Sequence, residues 1–95
     1  MKREQVLKIL HEHKHELGVK YGVTRLGIFG SVARDEATEA SDVDVIVEMA
    51  PDLFQMVHMK EDLEQLLHTS VDLIRYQKYL SALLKRRIDN EAIYV

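Results

Sequence analysis

Gly30 and Ser31 close the apolar run Leu26-Gly27-Ile28-Phe29, ten residues follow, and then comes Asp42-Val43-Asp44 leading into Val45-Ile46-Val47. This layout suits magnesium-dependent nucleotidyl transfer. A glycine where a strand turns into a helix lets backbone N–H groups and a neighbouring hydroxyl approach a phosphate. Asp42 and Asp44 are two apart, so on a strand both carboxylates leave one face while Val43, Val45 and Val47 enter a core on the other. Paired carboxylates raise each other's proton affinity unless a cation lies between them. Oxygen donors of this kind suit Mg²⁺, which in turn favours nucleotide phosphates. Asp72 is a third acid, set inside Val71-Asp72-Leu73-Ile74, where a carboxylate is costly unless it meets a cation or several donors. Each acid also fits a plainer role, as part of a solvent-facing stripe on a half-buried strand. Ser31 equally suits a helix N-cap. Arg34 suits either a bidentate phosphate contact or a surface pair with Asp35 or Glu36.

Gly30, Ser31, Asp42 and Asp44 resemble the G-S-x10-D-x-D signature of the DNA polymerase beta-like nucleotidyltransferase superfamily. The wider stretches Leu26–Arg34 and Ser41–Val45 resemble the minimal nucleotidyltransferase (MNT) domain proteins of bacteria and archaea. The likeness runs from Lys2-Arg3-Glu4 to Glu91-Ala92-Ile93. It implies the nucleotidyltransferase fold: a small mixed β-sheet with the two motif strands adjacent and helices packed on one side. It also implies that Asp42, Asp44 and Asp72 are catalytic and hold two Mg²⁺ ions, with Gly30, Ser31 and Arg34 contacting ATP. One ion would hold the β- and γ-phosphates, and the other would lower the pKa of an acceptor hydroxyl during in-line attack on the α-phosphate. Asp72 would help accept the hydroxyl proton. MNT proteins pair with helical HEPN-domain RNase toxins, so the resemblance implies an antitoxin that transfers AMP from ATP to a toxin tyrosine within a hetero-oligomer. Two other functions fit the same residues. One is a transferase acting on a small molecule, with Glu36, Glu39 and Glu48 supplying charge. The other is a non-catalytic antitoxin that masks its partner. At one position the chain departs from the pattern: Asp35 stands where many MNT-like sequences have Gly, adding negative charge near the mouth of the site.

These residues need strands and turns to position them. Val6, Ile9, Leu10, His13 and Leu17 follow a 3–4 spacing that predicts an opening helix, terminated at Gly18, with Gly22 marking the turn into a strand over Thr24 to Phe29. A short helix follows near Ser31, then a polar loop from Asp35 to Ala40 and a strand from Asp42 to Glu48. Pro51 and Asp52 open a longer helix with Leu53, Met56, Val57, Lys60, Leu63 and Leu67 at helical spacing. His68-Thr69-Ser70 breaks it, and Val71–Ile74 reads as a third strand. Tyr76 to Ile88 is expected to be helical for much of its length, with Leu80, Leu83 and Leu84 on its apolar face. The tail Ala92–Val95 is apolar enough to dock as a short edge element. This order of elements predicts a two-layer α/β or α+β architecture.

Length and composition bound the rest. Ninety-five residues predict one domain spanning 1–95. A net charge of -3 gives no global attraction to nucleic acid, so direct nucleic-acid binding is not expected. The absence of cysteine excludes disulfides and thiolate sites and fits a cytoplasmic protein. No apolar run approaches the ~20 residues that cross a bilayer, and no signal peptide is evident. His11 and His15 lie four apart without a third ligand, which is too little for zinc. Met49, Met56 and Met59 read as core or interface filling. Arg75, Lys78 and Lys85-Arg86-Arg87 form the one basic concentration, either a solvated helix face or a contact for phosphates or an acidic partner. Phe54, Tyr79, Tyr94 and Val95 add apolar surface that one small core is not expected to hide, which favours a partner.

Overall fold

The computed structural model describes all 95 residues. In chain order the elements are α1 (Arg3–Tyr21), β1 (Arg25–Phe29), α2 (Gly30–Ala33), β2 (Val43–Glu48), α3 (Leu53–Leu67), β3 (Val71–Arg75), α4 (Ala82–Glu91) and β4 (Ile93–Tyr94). The four strands form one mixed sheet in the order β3-β2-β1-β4. β1 runs antiparallel to β2 and to β4, whereas β2 and β3 are parallel. The parallel pair needs a crossover, which α3 supplies. The apolar tail docks as anticipated, because β4 adds to the free edge of β1 and Val95 N–H continues the pairing onto Leu26 C=O at 2.9 Å.

Alternation along the central strands divides the molecule. Val43, Val45 and Val47 of β2 join Leu26 and Ile28 of β1 in a core closed by Val6, Leu10 and Leu17 of α1 and Met59, Leu63 and Leu67 of α3. The two long helices therefore lie on one side of the sheet. On the other side Phe29 and Ile46 pack against Ile88 of the shorter α4, with Ile74, Leu80, Leu84 and Tyr94 around them. The opposite-facing residues of β2 are thus Asp44, Ile46 and Glu48: α4 covers the middle one and leaves the Asp44 end open.

Several local expectations change. α1 passes through Gly18 and ends three residues later at Tyr21, because the residue that adopts the left-handed cap is Gly22, with φ 70°. On α3 the buried stripe is Met59, Leu63 and Leu67, while Leu53 and Val57 are exposed. Those two lie well around the helix from Leu63 at 100° per residue, so only part of the apolar pattern faces the sheet. Asp52 caps α3 by accepting from Gln55 N–H at 3.1 Å. The last helix does not begin at Tyr76. Ser81 caps it, accepting from Leu84 N–H at 3.2 Å, and its buried residue is Ile88 rather than Leu83. Phe54 and Tyr79 are exposed as anticipated, at 79% and 81%, whereas Tyr94 and Val95 are half-buried. No helix is long and apolar enough to cross a membrane.

Candidate active site

The strand register assembles the site. Phe29 on β1 is the partner of Asp44 on β2, and Asp44 is the partner of Asp72 on β3. Partners across a ladder share a face, so Asp44 and Asp72 leave the sheet side by side, next to the residue that follows Phe29. That residue is Gly30. Its φ of 74° lies in the left-handed region, and a Cβ added there would overlap Oδ2 of Asp44. Glycine is required on both counts: the turn needs the conformation, and the carboxylate takes the space of a side chain. Asp42 precedes β2 by one residue and is exposed, as is Asp72 on its edge strand.

The electrostatics mark Asp44 as the centre. Burial pushes its carboxyl above the ordinary value, and the charge of Asp72 pushes it further. Asp42 adds to the same effect, while Arg87 and Arg34 oppose it. The acids are accordingly close enough to repel. They are not drawn together, however, and no group of three acid or histidine side chains converges as a metal cage. The donor set consists of hard carboxylate oxygens with unrelieved like charge, which fits a Mg²⁺ that retains part of its water shell.

Ser31 is the second residue of α2 and half-buried. It does not act as the N-cap: that position falls to Phe29, and no side chain caps the helix. Arg34 ends α2 and divides its guanidinium between two acids, Nε to Oε2 of Glu36 at 3.1 Å and Nη1 to Oε1 of Glu91 at 2.8 Å. Asp35 follows in the left-handed conformation, with φ 60°. Aspartate tolerates that region better than most residues, and the geometry explains why glycine suits this position equally. Of the basic concentration, Arg87 alone turns toward the acids. Arg75 donates to Gln77 at 2.7 Å, Lys78 lies over Tyr79, and Arg86 is exposed.

Glu91 was not singled out from sequence. Its Oε1 accepts from Gly30 N–H at 3.1 Å as well as from Arg34, and its Oε2 lies 3.8 Å from Arg87 Nε. The one available signal was Arg87 four residues before it on a helix, an ordinary i,i+4 pair.

Comparison with known proteins places the chain in a family. Residues 7–95 match the nucleotidyltransferase domain family. Protein adenylyltransferase MntA of Thermococcus cleftensis is 40% identical over 94 residues, which is 97% of this chain and 94% of that protein. A solved structure described as a candidate minimal nucleotidyltransferase superposes with a TM-score of 0.79 at 35% identity, covering 98% of this chain and 95% of that one. A chain from the solved complex of a tri-AMPylated Shewanella oneidensis HEPN toxin with its MNT antitoxin superposes with a TM-score of 0.58. There the identity is 18%, with 97% of this chain and 66% of that one covered, so the likeness is one of fold.

Proposed function

Because the chain belongs to the nucleotidyltransferase domain family, we propose that it is a minimal, single-domain protein adenylyltransferase that transfers AMP from ATP to a tyrosine of a HEPN-domain toxin and so acts as its antitoxin. The observation that carries the transfer chemistry is the register that sets Asp44 beside Asp72 and against Gly30. The protein acceptor is carried by the 40% identical adenylyltransferase, and the HEPN partner by the complex that shares the fold.

In this reading Asp42, Asp44 and Asp72 would hold two Mg²⁺ ions. When bound, the ions supply neutralisation of phosphate charge and a lowered pKa for the acceptor hydroxyl. Ser31 would offer its hydroxyl to the triphosphate beside the Gly30 turn, and Arg34 would contribute charge there. The acceptor oxygen forms a bond to the α-phosphorus, and the bond from that phosphorus to the bridging oxygen of the β-phosphate breaks. Pyrophosphate leaves, and the hydroxyl proton passes to the Asp72 carboxylate and on to water. Asp42 and Asp72 are exposed, so a macromolecular hydroxyl can reach them. Exposed Leu53, Phe54 and Leu83 supply apolar surface for such a partner.

The test combines the chain, its helical toxin, Mg²⁺ and ATP labelled at the α-phosphate. Label on a toxin tyrosine, located by mass spectrometry, is the expected result. A stable complex without label would replace transfer by masking, and label on a small molecule alone would shift the acceptor class.

A further inference from the structure

We infer that Glu91, the last residue of α4, is a positioning residue for nucleotide binding: it holds the Gly30 turn and the Arg34 and Arg87 guanidiniums in the arrangement that receives the triphosphate. The inference rests on the nucleotidyl-transfer reading above and adds a residue to it.

Three interactions converge on this carboxylate. Gly30 N–H donates to Oε1 at 3.1 Å, Arg34 Nη1 donates to the same oxygen at 2.8 Å, and Arg87 Nε lies 3.8 Å from Oε2. The Glu91 side chain is only 19% exposed, the lowest value among the acids in ion pairs. A mostly buried carboxylate bonded to a backbone amide and a guanidinium is held far more tightly than a surface pair.

Its own position is fixed from both sides. Ile88, one turn earlier, is fully buried against Phe29 and Ile46. Ile93, two residues later, is paired with Ile28 of β1. Glu91 therefore reaches the Gly30 turn from a rigid base.

The consequence falls on Asp44. Its carboxylate lies in the space a side chain on residue 30 would fill, so the Gly30 backbone that Glu91 anchors is also the wall against which Asp44 rests. Arg34 and Arg87 are the two cations acting on Asp44, and both are held by Glu91. Removing Glu91 leaves Arg34 with Glu36 alone, Arg87 without its ion-pair partner and the turn without its amide partner. Supporting groups of this kind typically change ligand affinity by about 10- to 100-fold when removed.

The contrary role for a carboxylate on the Gly30 amide, competition with the ligand, predicts the opposite sign. Calorimetric titration of Mg²⁺-ATP into wild type, Glu91→Gln, Glu91→Ala, Arg34→Ala and the Glu91→Ala/Arg34→Ala double variant separates the two. Melting curves without nucleotide serve as the control for folding. Positioning predicts that Glu91→Ala weakens binding about tenfold or more, and that Glu91→Gln, which keeps an oxygen for Gly30 N–H, loses less. It also predicts that Glu91→Ala costs clearly less in the Arg34→Ala background than in wild type. Unchanged or tighter binding by folded Glu91→Ala would overturn the inference, as would an undiminished cost in the double variant. If Glu91→Ala does not fold, Glu91→Gln decides alone, with wild-type or tighter affinity counting against it. A wild-type protein that binds no Mg²⁺-ATP overturns the transfer reading itself, an outcome distinct from variants that match a binding-competent wild type.

Discussion

Asp62 and Asp44 are both carboxylates at the margin of the core, on opposite sides of the sheet, and their surroundings treat them in opposite ways. Asp62, on α3, accepts from Lys20 Nζ at 2.7 Å and from the Tyr21 hydroxyl, both at the end of α1. These donors hold its carboxyl below the ordinary value, with the Lys20 hydrogen bond the largest influence. Asp44 is pushed above it, by burial first and then by Asp72. The nearby cations cannot compensate fully, since Arg34 is already bound to Glu36 and Glu91 and Arg87 already faces Glu91. One carboxylate joins two helices and is finished when the chain folds. The other is left with unrelieved negative charge that a cation would remove, which is how a site differs from a brace.

The largest test of that difference is chemical. Asp44→Asn keeps the shape of the side chain and removes its charge, so transfer should fall below detection, a loss of at least about 10,000-fold. Asp62→Asn should transfer AMP at close to the wild-type rate. Labelled-ATP assays on both variants with the toxin acceptor check the pair. A near-normal rate for Asp44→Asn at saturating Mg²⁺ would end its assignment as a metal-holding acid.

Within the site, Asp72 sharpens the contrast further. It is exposed on the edge strand, and its role is tied to the acceptor hydroxyl, so Asp72→Asn should slow transfer by about 100- to 10,000-fold. Its affinity for Mg²⁺-ATP should stay within a few-fold of wild type, whereas Asp44→Asn should lose affinity as well. Single-turnover rates and calorimetry on the same preparations separate the two effects. Equal damage to affinity from both substitutions would make Asp72 a metal holder only, and a full-speed Asp72→Asn would return it to the solvent-facing side of its strand.

How much of this was legible follows from the range of each signal. Asp44 and Asp72 could be placed because a strand alternates with period two, so valines buried on one face fix where those acids point, whereas Asp42, expected on the strand, precedes it by one residue. Gly30 was legible as a turn. The reason no side chain fits there was not, because it lies in a carboxylate fourteen positions away, brought near by the pairing of Phe29 with Asp44. Glu91 was silent for the same reason on a larger scale: its partner Gly30 is 61 residues distant. The helix expected over much of Tyr76 to Ile88 forms from Ala82 onward, so its start was less legible than its existence. Apolar spacing over Leu80, Leu83 and Leu84 outweighed Ser81, whose hydroxyl is the real start signal. On α3 the mixed stripe joined buried Leu63 to exposed Leu53 and Val57, and periodicity alone cannot distinguish a face that meets the sheet from one left open.

The smallest predicted effect is thermodynamic, and its sign differs between the two carboxylates. Asp44 has a folded pKa above its unfolded value near 3.8, so the folded state binds the extra proton between the two values. Stability therefore carries a penalty above the raised pKa, and the penalty is relieved as pH falls through it. Asp62 has a folded pKa below 3.8, so its contribution is present above that value and is lost as pH falls through the lowered one. In chelator at neutral pH, Asp44→Asn should melt slightly above wild type. Asp62→Asn should melt below it by about 2–4 °C, the shift expected for losing a half-exposed ion pair worth about 0.5 kcal/mol in a domain of this size. Both differences should shrink on acidification, that of Asp44→Asn first, because its titration lies at the higher pH. Melting curves of the three proteins from pH 7 to pH 3 give the comparison directly. Added Mg²⁺-ATP should then reverse the order at neutral pH, stabilising wild type and Asp62→Asn by mass action while leaving Asp44→Asn nearly unmoved. If Asp44→Asn instead melts lower than wild type in chelator, its carboxylate is part of the brace, and the distinction between the two acids fails.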